Sequence, residues 1–81
     1  MTTMESLNSI FSKVFDNESI QIRRETTARD VEGWDSLSHV NLILAVESSF
    51  GVRFSQRELL TMRHVGDLLD LVEAKLKSAK G

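Results

Sequence analysis

An all-α fold, a small bundle of four helices with one long loop between the first and the second, is predicted for this 81-residue chain by three observations. Proline is absent, and the composition is rich in Leu, Glu, Lys and Arg, residues that lose little on entering a helix. Apolar residues recur at helical spacing in several segments, and no segment alternates with period two for long enough to make a strand. Finally, residues 17–35 carry no periodicity at all, a stretch too long for an ordinary connection and of the kind that tends to be functional or mobile.

The first helix is expected over about residues 3–16, where Leu7, Ile10, Phe11, Val14 and Phe15 repeat at i, i+3, i+4, i+7 and i+8. Thr2 or Thr3 can cap it, and Glu5 sits in the first turn, where the helix dipole favours a negative charge. In the loop, Ile20 and Ile22 are candidate anchors to the core, Arg23, Arg24 and Glu25 are expected in solvent, and residues 26–30 suit a single helical turn.

The second helix is expected over about residues 36–50, with Asp35 as its N-cap and Gly51 as a left-handed stop. A short extended link, Val52-Arg53-Phe54, leads to Ser55-x-x-Glu58, a capping box that opens a short helix over about residues 56–62. The last helix is expected over about residues 64–77, on the spacing of Val65, Leu68, Leu69, Val72 and Leu76. Lys75, Lys77 and Lys80 gather at its C-terminal end, where cations suit the dipole.

Size and charge narrow the function. A chain this short is one small domain, residues 1–81, and buries only about 60% of its unfolded surface. Without cysteine it has no disulfide, thiolate metal site or cysteine nucleophile. Twelve acidic residues against ten Lys and Arg leave a net charge of −2, which points away from a nucleic-acid partner. Neither a signal peptide nor a membrane span is legible, so the expected location is cytoplasmic.

The second helix carries more apolar surface than one core face needs. On a helical wheel with Ser36 at zero, Leu42, Ile43, Val46 and Phe50 fill a sector from roughly 240° to 340°. Val40, Leu44 and Leu37 fill another from roughly 40° to 100°, with Ser36 and Glu47 between the two. A small bundle has little to cover the second sector, so either part of it is exposed as a surface for partners or cargo, or the short helix buries Leu37 and Leu44.

Asp35-Ser36-Leu37 at a helix start after a long loop resembles the attachment motif of the acyl carrier proteins, a family of phosphopantetheine-binding carriers. The surrounding residues extend the likeness: Gly33-Trp34 before the motif, Ser38-His39-Val40-Asn41-Leu42 after it, then residues 46–52, and Val65-Gly66-Asp67-Leu68 opening the last helix. It spans Leu7 to about Leu76. The resemblance implies a non-catalytic carrier in which Ser36 is esterified by the 4′-phosphopantetheine of coenzyme A, through a separate phosphopantetheinyl transferase with magnesium. Asp35 would cap the helix and help that enzyme hold its metal. The arm's thiol would hold an acyl group as a thioester for acyl-loading and acyl-processing enzymes, which in the family touch positions matching Leu37, Val40, Leu44 and Glu47. A monomer is implied, and whether the bundle shelters its cargo stays open.

One departure from the family bears on the pathway. Carriers of bulk fatty acid biosynthesis are strongly acidic along this helix and the loop after it. Here Ser38, Asn41, Ser48 and Ser49 are uncharged, and Arg53, Arg57 and Arg63 follow. A dedicated polyketide, mixed peptide–polyketide or cell-envelope pathway is therefore expected. The alternatives are a peptidyl carrier, whose motif is usually Gly-Gly-x-Ser, and an unmodified helical adaptor using Leu37, Val40 and Leu44.

Other readings of these residues are weaker. A hydrolase with Ser36 as nucleophile lacks both Gly-Asp-Ser-Leu, since Trp34 stands where glycine would, and Gly-x-Ser-x-Gly. Asp30, Glu32 and Asp35 invite a calcium site, but the twelfth position counted from Asp30 is Asn41 rather than glutamate. His39 is expected as a packed, hydrogen-bonded histidine and His64 as a plain residue at the last helix start. Trp34 is either a loop anchor or part of the transferase-binding surface.

Overall fold

The computed structural model describes residues 2–78. Lys80, expected near the end of the last helix, lies outside them. Four helices follow in order, α1 (Thr3–Val14), α2 (Ser36–Phe50), α3 (Gln56–Leu60) and α4 (Val65–Ser78), and no strand occurs among the described residues.

Each boundary has a local cause. Thr2 caps α1 by accepting from the Glu5 N–H while the Glu5 carboxylate accepts from the Thr2 N–H, a reciprocal capping box. The helix stops at Val14, two residues before the expected end, because Asp16 turns into the left-handed region at φ 49°. The Asn17 N–H then bonds the Ser12 carbonyl at 2.9 Å and the Asp16 N–H bonds that of Lys13 at 3.4 Å, the pairing of a Schellman stop. Gly51, at φ 67°, ends α2 in the same conformation with little steric cost.

Ser55 and Glu58 form the capping box of α3. That helix stops at Leu60 rather than residue 62, and the Thr61 hydroxyl turns back onto the Glu58 carbonyl at 2.7 Å. α4 begins at Val65 rather than His64, since the Asp67 carboxylate draws in the N–H groups of Arg63 and His64 at 2.9 and 3.1 Å.

The core is a single apolar cluster. Leu7, Ile10 and Phe11 of α1 meet Leu42, Ile43 and Val46 of α2 and Val65, Leu68, Leu69 and Val72 of α4, with Ile22 of the loop added. Full burial of each such side chain is worth about 1.5–3 kcal/mol. α3 buries no residue completely and is held at its edge by Leu59 and Met62. Lys75 of α4 clips it in place, with Nζ 2.9 Å from Glu58 Oε1 and 5.6 Å from the centre of the Phe54 ring.

The long loop is stapled down rather than loose. Asn8 of α1 donates to the Ile20 carbonyl at 3.0 Å and accepts from the Ile22 N–H at 2.8 Å, so one side chain holds both sides of the strap. Further on, the first N–H groups of α4 find their acceptors in the loop. Val65 donates to Thr26 and Gly66 to Arg24, both at 2.8 Å. Amides that a helix start leaves without intrahelical partners thereby fasten the loop. One guanidinium nitrogen of Arg24, Nη2, adds contacts to both carboxylate oxygens of Asp70 at 2.9 and 3.1 Å, which screening by water keeps weak. Residues 26–30 form a hydrogen-bonded turn closed by Asp30 on Thr27, not a helix.

Gly66 is required by this closeness. A Cβ there would stand 3.0 Å from the Arg24 carbonyl oxygen, which cannot readily retreat because it is bonded to Gly66 itself. Gly66→Ala is therefore expected to destabilise the protein by about 1 kcal/mol, as overpacking of about 1–3 kcal/mol outweighs the gain in helix propensity. Urea unfolding checks the sign, and amide exchange should show residues 24–26 losing protection.

Candidate functional site

Three elements converge at the start of α2. Gly33, at φ 88°, turns the loop so that Trp34 points inward and Asp35 lies one residue ahead of the helix. Trp34 stands edge-on to Phe11, with ring centres 5.3 Å apart, and tilted against Phe15 at 6.1 Å. Its Nε1–H donates to His39 Nδ1 at 3.0 Å. Trp34 thus anchors the loop to both α1 and α2.

Asp35 caps α2. Its Oδ1 accepts from the Ser38 N–H at 2.9 Å, and the single proton of the Ser38 hydroxyl is shared between that same oxygen, at 3.0 Å, and the Gly33 carbonyl. The bonds from Ser38 hold the Asp35 carboxyl below the usual carboxylate range. Ser36, the first residue of the helix, is exposed, and among the described residues its hydroxyl takes part in no hydrogen bond. Capping is thus the work of Asp35 and Ser38, which leaves the neighbouring hydroxyl accessible.

Beside Ser36 opens a cleft of about 470 Å³ lined by Trp34, His39, Met62, Arg63, His64 and Leu68, among others. His39 is half-buried in its wall, and that burial lowers its pKa below the ordinary value. The bond from Trp34 also needs Nδ1 unprotonated. A histidine with a depressed pKa contributes stability that is full above its unfolded value of about 6.5 and is lost as pH falls through the lower folded value. Emission from Trp34, the one tryptophan, is expected to change on acidification with a midpoint below about pH 6.5, and His39→Gln should remove that transition.

Leu37, Val40 and Leu44 are 75, 55 and 57% exposed, so α3 does not cover them. The fourth residue of the expected partner surface, Glu47, is half-buried, and its Oε2 accepts from the Phe54 N–H at 2.8 Å. Leu60 of α3 is 84% exposed, a further apolar side chain at the surface that the sequence reading missed. The clue lay in the Leu59-Leu60 pair: neighbours on a helix point about 100° apart, and only Leu59 reaches the core. His64 is exposed, with Nδ1 3.5 Å from Asp67 Oδ2. Among the described residues, no group of three or more His, Asp or Glu side chains is placed to hold a metal ion, and no helix is long and apolar enough to cross a membrane.

Comparison with known proteins agrees over nearly the whole chain. Residues 5–72 match the family model described as the phosphopantetheine attachment site. The acyl carrier protein of Thermotoga maritima is 34% identical over 70 residues, which cover 86% of each chain. Acyl carrier protein 3 of Ralstonia nicotianae is 30% identical over 77 residues, covering 95% of this chain and 88% of that one. Among solved structures, the solution NMR structure of the holo acyl carrier protein from Geobacter metallireducens superposes with a TM-score of 0.91 at 47% identity, covering 98% of this chain and 91% of that one. An all-α bundle of this kind, matched in sequence from α1 into α4, belongs to the acyl carrier proteins, non-catalytic carriers whose prosthetic group is 4′-phosphopantetheine.

Proposed function

We propose that Ser36 is the attachment point of the phosphopantetheine arm, and that residues 1–81 act as one monomeric, cytoplasmic carrier domain for acyl intermediates of a dedicated biosynthetic pathway. The observation that carries this reading is the exposed, unengaged hydroxyl at the first residue of α2, beside a cap made entirely by its neighbours. The first-turn amides of α2 favour the phosphodiester's negative charge at that position. With Oδ1 of Asp35 occupied by Ser38, Oδ2 is the oxygen left for a metal carried by the transferase. When bound, the arm supplies a terminal thiol that holds the acyl group as a thioester. Leu37, Val40 and Leu44 offer the loading and processing enzymes an apolar strip next to it, and Glu47, whose Oε2 also accepts from the Phe54 N–H, completes that partner surface.

A polyketide, mixed peptide–polyketide or cell-envelope pathway fits the charge pattern better than bulk fatty acid synthesis. Residues 36–63 contain three arginines and only two glutamates. The test is a loading panel on the holo protein, with Ser36→Ala as the blank. It comprises a malonyl transferase of bulk fatty acid synthesis, an acyl-adenylating enzyme and an amino-acid-adenylating enzyme. Acyl loading with poor acceptance by the bulk malonyl transferase is expected. Efficient malonylation would return the protein to bulk synthesis, and amino-acid loading would make it a peptidyl carrier.

A further inference from the structure

The apolar strip of α2 has cations at both ends, while the carboxylates near it each accept a hydrogen bond from within the molecule. Arg63 lines the cleft at the Ser36 end of the strip. At the other end, Arg53 lines a groove shared with Leu44 and Glu47. Arg57 lies one turn before the exposed Leu60 on α3. All three arginines are exposed, and among the described residues none forms an ion pair.

The acidic groups of the same region are differently placed. Asp35 accepts from Ser38, Glu47 from the Phe54 N–H, and Glu58 from the Ser55 N–H and Lys75. Of the three, Glu58 alone has its charge met by a cation, while Asp35 and Glu47 each turn one oxygen to neutral donors inside the protein. An overall charge of −2 coexists with unpaired guanidinium groups at the two ends of the Leu37, Val40 and Leu44 strip, those of Arg63 and Arg53, and with a third, Arg57, one turn from the exposed Leu60 on α3.

We propose that the enzymes that act on this carrier, the phosphopantetheinyl transferase included, dock on this strip through an apolar socket edged by Asp and Glu side chains. Complementary rim charges steer encounter and select partners more than they add raw affinity, and guanidinium groups pair with carboxylates in a planar, two-pronged way. An enzyme edged instead by lysines and arginines meets repulsion at Arg53, Arg57 and Arg63. The inference rests on the carrier reading of Ser36 and goes beyond it by assigning the chemistry of the partner's surface.

A charge-swap cycle tests it on the apo protein. One phosphopantetheinyl transferase with a basic carrier-contact face is paired with its own variant in which the contact lysines and arginines are changed to glutamate. Each is assayed on the wild type and on the folded triple variant Arg53→Glu/Arg57→Glu/Arg63→Glu. The wild type is expected to show a KM about tenfold lower with the acidic-faced enzyme, and the triple variant the reverse, with added salt narrowing both differences. KM values that ignore both charge swaps, or a wild type that prefers the basic face, overturn the inference while leaving the carrier reading intact. A concentration-dependent dimer that hides Leu37, Val40 and Leu60 also overturns it, since a second copy would then be the occupant. Absence of transfer to Ser36 by either enzyme instead defeats the carrier reading itself.

Discussion

Phe11→Ala is expected to remove about 3–5 kcal/mol of stability, a large part of the roughly 4–12 kcal/mol available to a chain of this size. Phe11 is fully buried and stands where α1, α2 and the loop meet. Its ring packs against Phe15 at 5.7 Å and edge-on against Trp34 at 5.3 Å. Truncation leaves a cavity under the residue that positions the loop just before Ser36. Chemical denaturation followed by Trp34 emission should show both a lower midpoint and an altered native baseline. Phe11→Leu keeps most of the volume and is expected to cost less than about 1.5 kcal/mol. A loss below about 1 kcal/mol in the alanine variant would mean that the Trp34 corner is held by something other than this ring.

Ser36→Ala is expected to do the opposite, abolishing carrier function while leaving the fold intact. The Ser36 side chain is exposed, the cap is provided by Asp35 and Ser38, and alanine is the better helix former at a helical position. Thermal unfolding of the variant should match the wild type or lie slightly above it, whereas acyl loading should fall to zero. Few substitutions separate function from stability so cleanly. A variant that unfolds would show that the serine is structural, and one that still loads would place the attachment elsewhere.

Most of the helical frame was legible in the residues because it depends on local, repeating signals. The spacing of Leu7, Ile10 and Phe11, the stop at Gly51 and the Ser55–Glu58 box each act within a turn or two. The second apolar sector of α2 was legible for the same reason, and Leu37, Val40 and Leu44 are indeed left uncovered. What could not be read are the long-range fastenings. Asn8 in α1 is an unremarkable polar residue until it is found bonded to Ile20 and Ile22, and Arg24 pairs with Asp70 across 46 positions. Gly66 looked like one letter of a family motif, and its physical reason is the Arg24 carbonyl lying against it. The early stop of α1 at Asp16 was hidden because aspartate only occasionally takes the left-handed conformation.

These fastenings matter to the site because they make the loop a fixed support. Asn8, Gly66 and Trp34 hold it at three places, so that Asp35 and Ser36 are presented in a defined orientation at the mouth of the cleft. The protein has little chemistry to perform. On the reading proposed above, its task is to expose the Ser36 hydroxyl, keep the Asp35 carboxylate oriented, and offer partners a recognisable face.

The most direct test of this account is the mass of the intact protein before and after incubation with coenzyme A, magnesium and a phosphopantetheinyl transferase of broad specificity, followed by fragmentation to locate the change. The account predicts one added phosphopantetheine per chain, on a fragment containing Ser36, and none on Ser36→Ala. A folded wild type that gains no mass with two different transferases, or a gain that persists in Ser36→Ala, would contradict it.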